Sequence, residues 1–271
     1  MKYYKNIFVV LVYRNCEDLI DLFHSLEEQC SDYRVIVVNS FYDTESENEI
    51  KDVAERNAAD FLSVENKGYS YGNNQGIHFA ENHYKFDYLI VCNPDVLIKK
   101  WNTENLSQDG FIYGPIIKTS TNKDQNPCFV SYLPFTEWIS YMSYKHGIPK
   151  LDYINFGINR LIREMWLIKF RRGKKNELMV YGVHGAFLIF TASYLNKNPT
   201  PFLEDMFLFN EERYLAWRLS KLQHKAIVTK DIEIYHKEDG SMNKANVNTV
   251  IREKESFIVY YENTHSTDVR K

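Results

Sequence analysis

The residues best suited to chemistry begin with Asp95, at the end of Leu89 to Val96, LIVCNPDV, an apolar run that closes in an Asn-Pro-Asp step. β-branched and aliphatic residues in a short run read as a buried strand, and Pro94 has no N–H with which to extend a ladder. Asp95 is therefore expected just past a strand end, where a carboxylate can meet a metal or a sugar. A plain turn accounts for the same three residues. The second set lies in Asn66 to Gly76, read as a loop. Gly68, Gly72 and Gly76 permit close backbone approach there, and Asn73 and Asn74 offer donors and acceptors beside a helix start. Its spacing is neither GxGxxG nor a Walker loop, so neither a dinucleotide fold nor an ATPase is supported. The third set is Glu211-Glu212, which opens a helix with Leu215, Trp217 and Leu219 on its apolar face. On its own this reads as an acidic pair favoured by the helix dipole. His184 lacks an evident partner and reads as a polar wall residue rather than a catalyst.

These residues need elements to position them. Ile7 to Tyr13 is a strand, after which Asn15 caps a helix carrying Leu19, Leu22, Phe23 and Leu26 on one face. Arg34 to Val38 is the second strand, followed by a polar turn and an exposed helix over Thr44 to Asn57. Phe61 to Val64 is a third strand, and a helix through Ile77, Phe79 and Ala80 leads to the strand that ends at Asp95. Strands alternating with helices predict a parallel sheet covered on both faces, because parallel neighbours need crossovers. Ligands bind such sheets at the carboxyl ends of the strands. Tyr13, Asn39, the Asn66 to Gly76 stretch and Asp95 should gather there. Farther along, Val183 to Tyr194 reads as Gly185-Ala186 followed by a strand. Ile227 to Thr229 and Ile232 to Ile234 read as short strands, and Val250 to Tyr261 as a final helix.

Size and composition limit the function classes. A chain of 271 residues, 44% hydrophobic and 25% charged with net charge -3, is an ordinary globular protein with nothing to suggest nucleic acid as a partner. Its 20 Tyr and 17 Phe suit carbohydrate or a membrane interface. Cys16, Cys30, Cys92 and Cys128 have no CxxC spacing, so neither a zinc site nor a disulfide framework is indicated, and a reducing cytoplasmic setting is expected. The N-terminal apolar run is too short for a signal segment, and no run approaches the roughly 20 residues of a membrane span. Between Pro134 and Asn176 the pattern changes. Leu161, Ile162, Met165, Trp166, Ile168 and Phe170 alternate there with Arg160, Arg163, Lys169, Arg171, Arg172, Lys174 and Lys175. Such a basic amphipathic helix either lies on an anionic membrane surface or packs on its own domain with a solvated basic face.

The order of strand, second strand with polar turn, N-x-G-[aromatic]-x-x-G-N-N-x-G and N-P-D resembles family 2 glycosyltransferases with the GT-A fold. The similarity is to their rhamnosyltransferase-like branch, which builds bacterial surface polysaccharides. Asn66, Gly68, Tyr69, Gly72, Asn73, Asn74 and Gly76 match its loop, and Asn93-Pro94-Asp95 matches a variant of its D-x-D motif. The resemblance implies an α/β GT-A fold, a Rossmann-like mostly parallel sheet flanked by helices. One domain is expected over residues 1–265, with a nucleotide-sugar-binding half (1–120), a helical aromatic and basic insertion (130–178), an acceptor half (179–265) and a loose tail (266–271). It also implies an inverting transferase that uses Mg²⁺ or Mn²⁺, with dTDP-rhamnose or a UDP-hexose as donor. The acceptor would be a saccharide or lipid-linked saccharide, at the inner face of the plasma membrane.

Residue by residue, the resemblance gives Asp95 and His236 to the metal, His236 through an H-x-x-x-x-S pattern that ends at Ser241. Glu212 takes the place of the catalytic aspartate with Glu211 beside it. Tyr13, Asn39, Asn66, Gly68, Tyr69, Gly72, Asn73, Asn74, Asn93, Gly185 and Ala186 go to the donor. Two positions depart from the pattern: Asn39 stands where an aspartate usually pairs with the base, and Glu212 is one methylene longer than Asp. Those departures keep a second reading, a non-catalytic nucleotide-sugar-binding subunit of a polysaccharide assembly complex. A nucleotidyltransferase would need a glycine-rich basic loop after the first strand, which Tyr13-Arg14-Asn15-Cys16 does not supply.

Overall fold

A computed structural model describes residues 1–108, 111–148, 152–238 and 249–265. The expected tail and Ser241 lie outside the described residues. The chain begins with strand β1 (Lys2–Val12), helix α1 (Glu17–Gln29), β2 (Tyr33–Ser40), α2 (Thr44–Arg56), β3 (Asp60–Val64), α3 (Tyr69–His83) and β4 (Tyr84–Cys92). Then come β5 (Val96–Lys100), β6 (Ile112–Thr119), α4 (Pro134–His146), α5 (Asp152–Arg172), β7 (Glu177–Val180), β8 (Phe187–Thr191) and α6 (Ala192–Leu195). The last described elements are α7 (Glu211–Lys221), β9 (Ala226–His236) and α8 (Thr249–His265).

The strands form one sheet in the order β3-β2-β1-β4-β8-β6-β9-β5, with β7 also paired to β9. Pairing is parallel from β3 to β4 and between β6 and β9, and antiparallel where β8, β5 and β7 meet their neighbours. β1 to β4, β6 and β9 therefore run in one direction, and β5, β7 and β8 run against them. The alternation along β1 decides which layer each residue joins. Phe8, Val10 and Val12 pack with Leu19, Leu22 and Leu26 of α1 and Ile50 of α2 on one face. Ile7 and Val9 pack with Ile77 and Ala80 of α3, Phe170 of α5 and Leu215 and Leu219 of α7 on the other.

The structure corrects the sequence reading in several places. The Asn66 to Gly76 stretch is mostly helix: α3 starts at Tyr69, so only Gly68 and the residues before it form the turn. β4 begins five residues before Leu89, at Tyr84. The segment after Ala186 is strand only to Thr191 and then helix. The two short strands near residue 230 are one continuous β9. At the first helix, Cys16 occupies the cap position, while the Asn15 side chain accepts from the Glu17 N–H at 2.9 Å. The insertion holds the pair α4 and α5. Pro134 opens α4, where its missing N–H costs nothing, and Gly147, at φ 67°, ends it.

Candidate functional site

The parallel strands β1, β2, β3 and β4 end on one edge, where Pro94 stops β4 and the chain turns back into β5. A cavity of about 550 Å³ opens at this edge. Tyr13, Asn66, Gly68, Tyr69, Asn93, Asp95, Gly185, Ala186, Glu211, Glu212 and His236 all line it, as does His184. The structure thus joins residues from six segments of the chain that the sequence reading had named separately.

On one wall, Asp95 and His236 are buried and their side chains meet at 3.3 Å, Nε2 to Oδ1. The contact follows from the fold, because β5 pairs with β9 with Val96 opposite His236. Lys237 N–H also donates to the Asp95 carbonyl at 3.0 Å, and its ammonium bridges Asp18 and Asp21 of α1. Gln125, which the sequence reading did not single out, fixes the imidazole. Its amide nitrogen donates to Glu238 at 2.9 Å, so its oxygen is the atom 2.7 Å from His236 Nδ1. Nδ1 is then assigned as the N–H donor, and in the neutral ring Nε2 turns a lone pair toward the Asp95 carboxylate. Two acceptors facing each other call for a cation or a proton between them.

The residues present fit a divalent ion. The 3.3 Å separation is close to the edge of about 3 Å spanned by two cis ligands bound at about 2.1 Å. Mg²⁺ is commonly held by one or two protein groups plus substrate phosphates. Among the described residues, no group of three or more His, Cys, Asp or Glu could hold a metal. The remaining ligands would come from water or a bound anion.

A second wall is the N-terminus of α7. Glu212 accepts the Gly185 N–H at 3.0 Å, which orients its carboxylate toward the cavity floor. Gly185 in turn offers its carbonyl to the Tyr69 hydroxyl at 2.9 Å. Glu211 is buried, and its Oε1 has no hydrogen-bond partner. Burial first, then the neighbouring Glu212 charge, push its carboxyl up to about 8, so Glu211 carries a proton at neutral pH. His184 receives the Ala186 N–H on Nδ1 at 3.1 Å, and its backbone N–H is held by Asn126 at 2.7 Å. Burial lowers its pKa, against the opposing pull of Glu212, so the ring stands neutral.

Other named residues sit elsewhere. Gly72, Asn73 and Asn74 are buried inside α3 and do not line the cavity. Side-chain atoms at Gly72 and Gly76 would collide with Leu11 and with Val9 and Val38, so these glycines let the helix lie close on the sheet. Asn73 donates to the Tyr69 carbonyl, while Asn74 donates to the Phe202 carbonyl and the Glu204 carboxylate and accepts from Phe202 N–H. The Asn74 bonds tie α3 to the segment leading to α7. Gly68, at φ 101°, presses on the Phe207 backbone, where any side chain would overlap. Asn39 is 1% exposed and donates to Ser63 at 3.1 Å, leaving Ser40 to reach the cavity. Near Tyr13, Tyr42 packs edge-on at 5.7 Å and takes a hydrogen bond from Arg14 at 2.7 Å, an aromatic and cationic corner beyond the first strand.

No protein-family model and no curated protein matches the chain in sequence. Solved structures do match in shape. GalNAc-T7, crystallised with UDP, GalNAc and Mn²⁺, superposes with a TM-score of 0.60 at 9% identity, covering 96% of this chain and 48% of its own. S. aureus TarS 1-349 superposes with a TM-score of 0.54 at 12% identity, over 98% of this chain and 73% of that one. A second S. aureus TarS structure gives 0.55 at 12% identity, over 97% and 44%. The chain spans about half the length of the GalNAc-T7 chain it matches. At these identities the likeness speaks for architecture, and it agrees with the mostly parallel sheet and its flanking helices: the chain has the GT-A glycosyltransferase fold.

Proposed function

We propose that the protein is an inverting glycosyltransferase of the rhamnosyltransferase-like kind. It would move a sugar from a nucleotide-diphosphate donor to a saccharide or lipid-linked saccharide during bacterial surface polysaccharide synthesis. The supporting observation is one cavity, on a GT-A sheet, that holds both a fixed carboxylate, Glu212, and the Asp95–His236 pair. In a single displacement the acceptor hydroxyl attacks the anomeric carbon while the bond to the diphosphate breaks, and Glu212 takes the hydroxyl proton. Glu211, kept protonated, can donate a hydrogen bond to a sugar oxygen. Asp95 and His236 would hold Mg²⁺ or Mn²⁺, which when bound supplies positive charge to the leaving diphosphate. Tyr13, Asn66, Gly68, Tyr69, Asn93, Gly185 and Ala186 would enclose the nucleoside and sugar. Asn39, Gly72, Asn73 and Asn74 would act through the elements they brace. Its setting would be the cytoplasmic face of the membrane; no helix of the described residues is long and apolar enough to cross one.

The donors to test are dTDP-rhamnose and UDP-hexoses, the latter also because the GalNAc-T7 crystals hold UDP and GalNAc. The experiment follows nucleoside diphosphate release with saccharide acceptors, with and without Mn²⁺, and reads the product anomer by NMR. Turnover of one donor, stimulated by Mn²⁺ and inverting, is expected. Tight donor binding without hydrolysis or transfer would instead favour the non-catalytic subunit, and a retained anomeric configuration would remove the single displacement.

A further inference from the structure

A surface helix ordinarily gives one apolar stripe to the core and a polar stripe to water. α5 has two apolar stripes. Leu167 and Phe170 are buried, with Trp166 packed beside them, whereas Leu161, Met165 and Ile168 are 65%, 64% and 51% exposed. Spacings of four and three residues align these three in a row along the outside of the helix, with exposed Ile158 one step earlier. The exposed charges around the row are one-sided: Arg160, Lys169, Arg172, Lys174 and Lys175 against Glu164. Since the whole chain is net acidic, at -3, this strip is a local reversal of charge. α4 lies alongside α5. Asn155 donates to Ser140 at 2.7 Å, and the short connection makes α4 and α5 antiparallel neighbours.

We infer that the outer face of α5 is a docking surface for an anionic lipid bilayer. An aliphatic row edged by Lys and Arg suits a helix lying in the headgroup region, with its side chains in the acyl boundary and its charges on lipid phosphates. A nucleic acid would use the charges and leave the aliphatic row in water. The face is also close to the cavity. From the inner side of α5, Arg163 donates to the Asp124 and Pro127 carbonyls and Arg171 pairs with the Asp124 carboxylate. Between those anchors, Gln125 and Asn126 hold His236 and His184 of the cavity wall. A bilayer against α5 therefore lies one hydrogen-bonded segment from the site, which suits an acceptor carried on a lipid. That last step rests on the proposed transferase activity; the docking does not.

The test is co-sedimentation of the full chain with vesicles of phosphatidylglycerol and phosphatidylcholine, compared with phosphatidylcholine alone. Pelleting with the anionic vesicles is expected, weakened at least about tenfold on neutral vesicles or in high salt. The triple variant Leu161→Ser, Met165→Ser, Ile168→Ser changes only exposed positions, so its melting temperature should hold while vesicle affinity falls at least about tenfold. The double variant Lys169→Glu, Arg172→Glu should lose binding to anionic vesicles in the same way. No pelleting with anionic vesicles, or pelleting that the triple variant leaves unchanged, would overturn the proposal. Self-association abolished by the triple variant, without lipid binding, would overturn it in favour of a second copy. Vesicle binding by a protein inactive on every donor would keep the docking surface and count against the transferase.

Discussion

Asp95 and His236 reach the cavity already tied to each other and to Gln125, whereas Glu211 and Glu212, neighbours at the head of α7, are treated in opposite ways. Glu212 is oriented by a backbone N–H, and Glu211 is buried with an unpaired oxygen. The first wall sets two acceptors face to face, an arrangement that one cation or a proton would satisfy. The second separates two identical side chains by environment alone, one oriented by a backbone N–H and the other buried, with its carboxyl pushed up to about 8. On the proposed activity the first wall would bind and the second would take the proton, so the two functions could be broken independently.

The largest expected effect is on the second wall. Glu212→Gln keeps the shape and removes the base, so turnover should drop by about 10² to 10⁴. Turnover within a few-fold of the parent would end the role of Glu212. Next comes the scaffold beneath both walls. Gly76→Val would drive a side chain into Val9 and Val38 and should cost about 1–3 kcal/mol, read by denaturant unfolding. A neutral result would show that α3 can lift off the sheet without penalty. A smaller change is expected on the first wall. Gln125→Leu frees the His236 ring and should weaken Mn²⁺-dependent nucleotide binding several-fold, leaving metal-free binding alone.

The subtlest effect is in pH dependence. The Glu211 carboxyl is pushed from its ordinary 4.5 up to about 8, so between those values the folded protein keeps a proton that the unfolded chain has released. Stability should therefore fall as pH rises from about 4.5 to about 8. Glu81, which burial raises to about 7, contributes with the same sign, so the readout is the difference between proteins. Glu211→Gln should flatten the melting-temperature profile in that window. An unchanged slope would mean that Glu211 is ionised.

The two halves of the molecule also differ in how far the sequence disclosed them. From β1 to β3 each strand is followed by a helix that leads to the next strand, so the fold, its carboxyl edge and Asp95 could be read directly. Within that half the failure was the Gly72 to Gly76 stretch. Glycine and asparagine disfavour helix, but close packing on Leu11, Val9 and Val38 overrode propensity. Of the amides read as ligand groups, Asn73 bonds within α3 and Asn74 to the Phe202 segment. In the second half, β5 and β7 are short antiparallel strands that leave no crossover pattern, and β6 is not joined to a neighbouring strand by the strand-helix alternation of the first half. Gln125 left no signal because its partner is 111 positions away. On α5, the sequence offered one undivided set of apolar residues, and only the fold sorts them into an inner and an outer row.

The comparison of the walls is tested most directly by titrating UDP and dTDP, with Mn²⁺ present, into the parent, Glu212→Gln and Asp95→Ala proteins by calorimetry. The account predicts parental nucleotide affinity for Glu212→Gln and at least about a tenfold loss for Asp95→Ala. Unchanged affinity in Asp95→Ala, or a matching loss in Glu212→Gln, would contradict the division between the wall that binds and the wall that takes the proton.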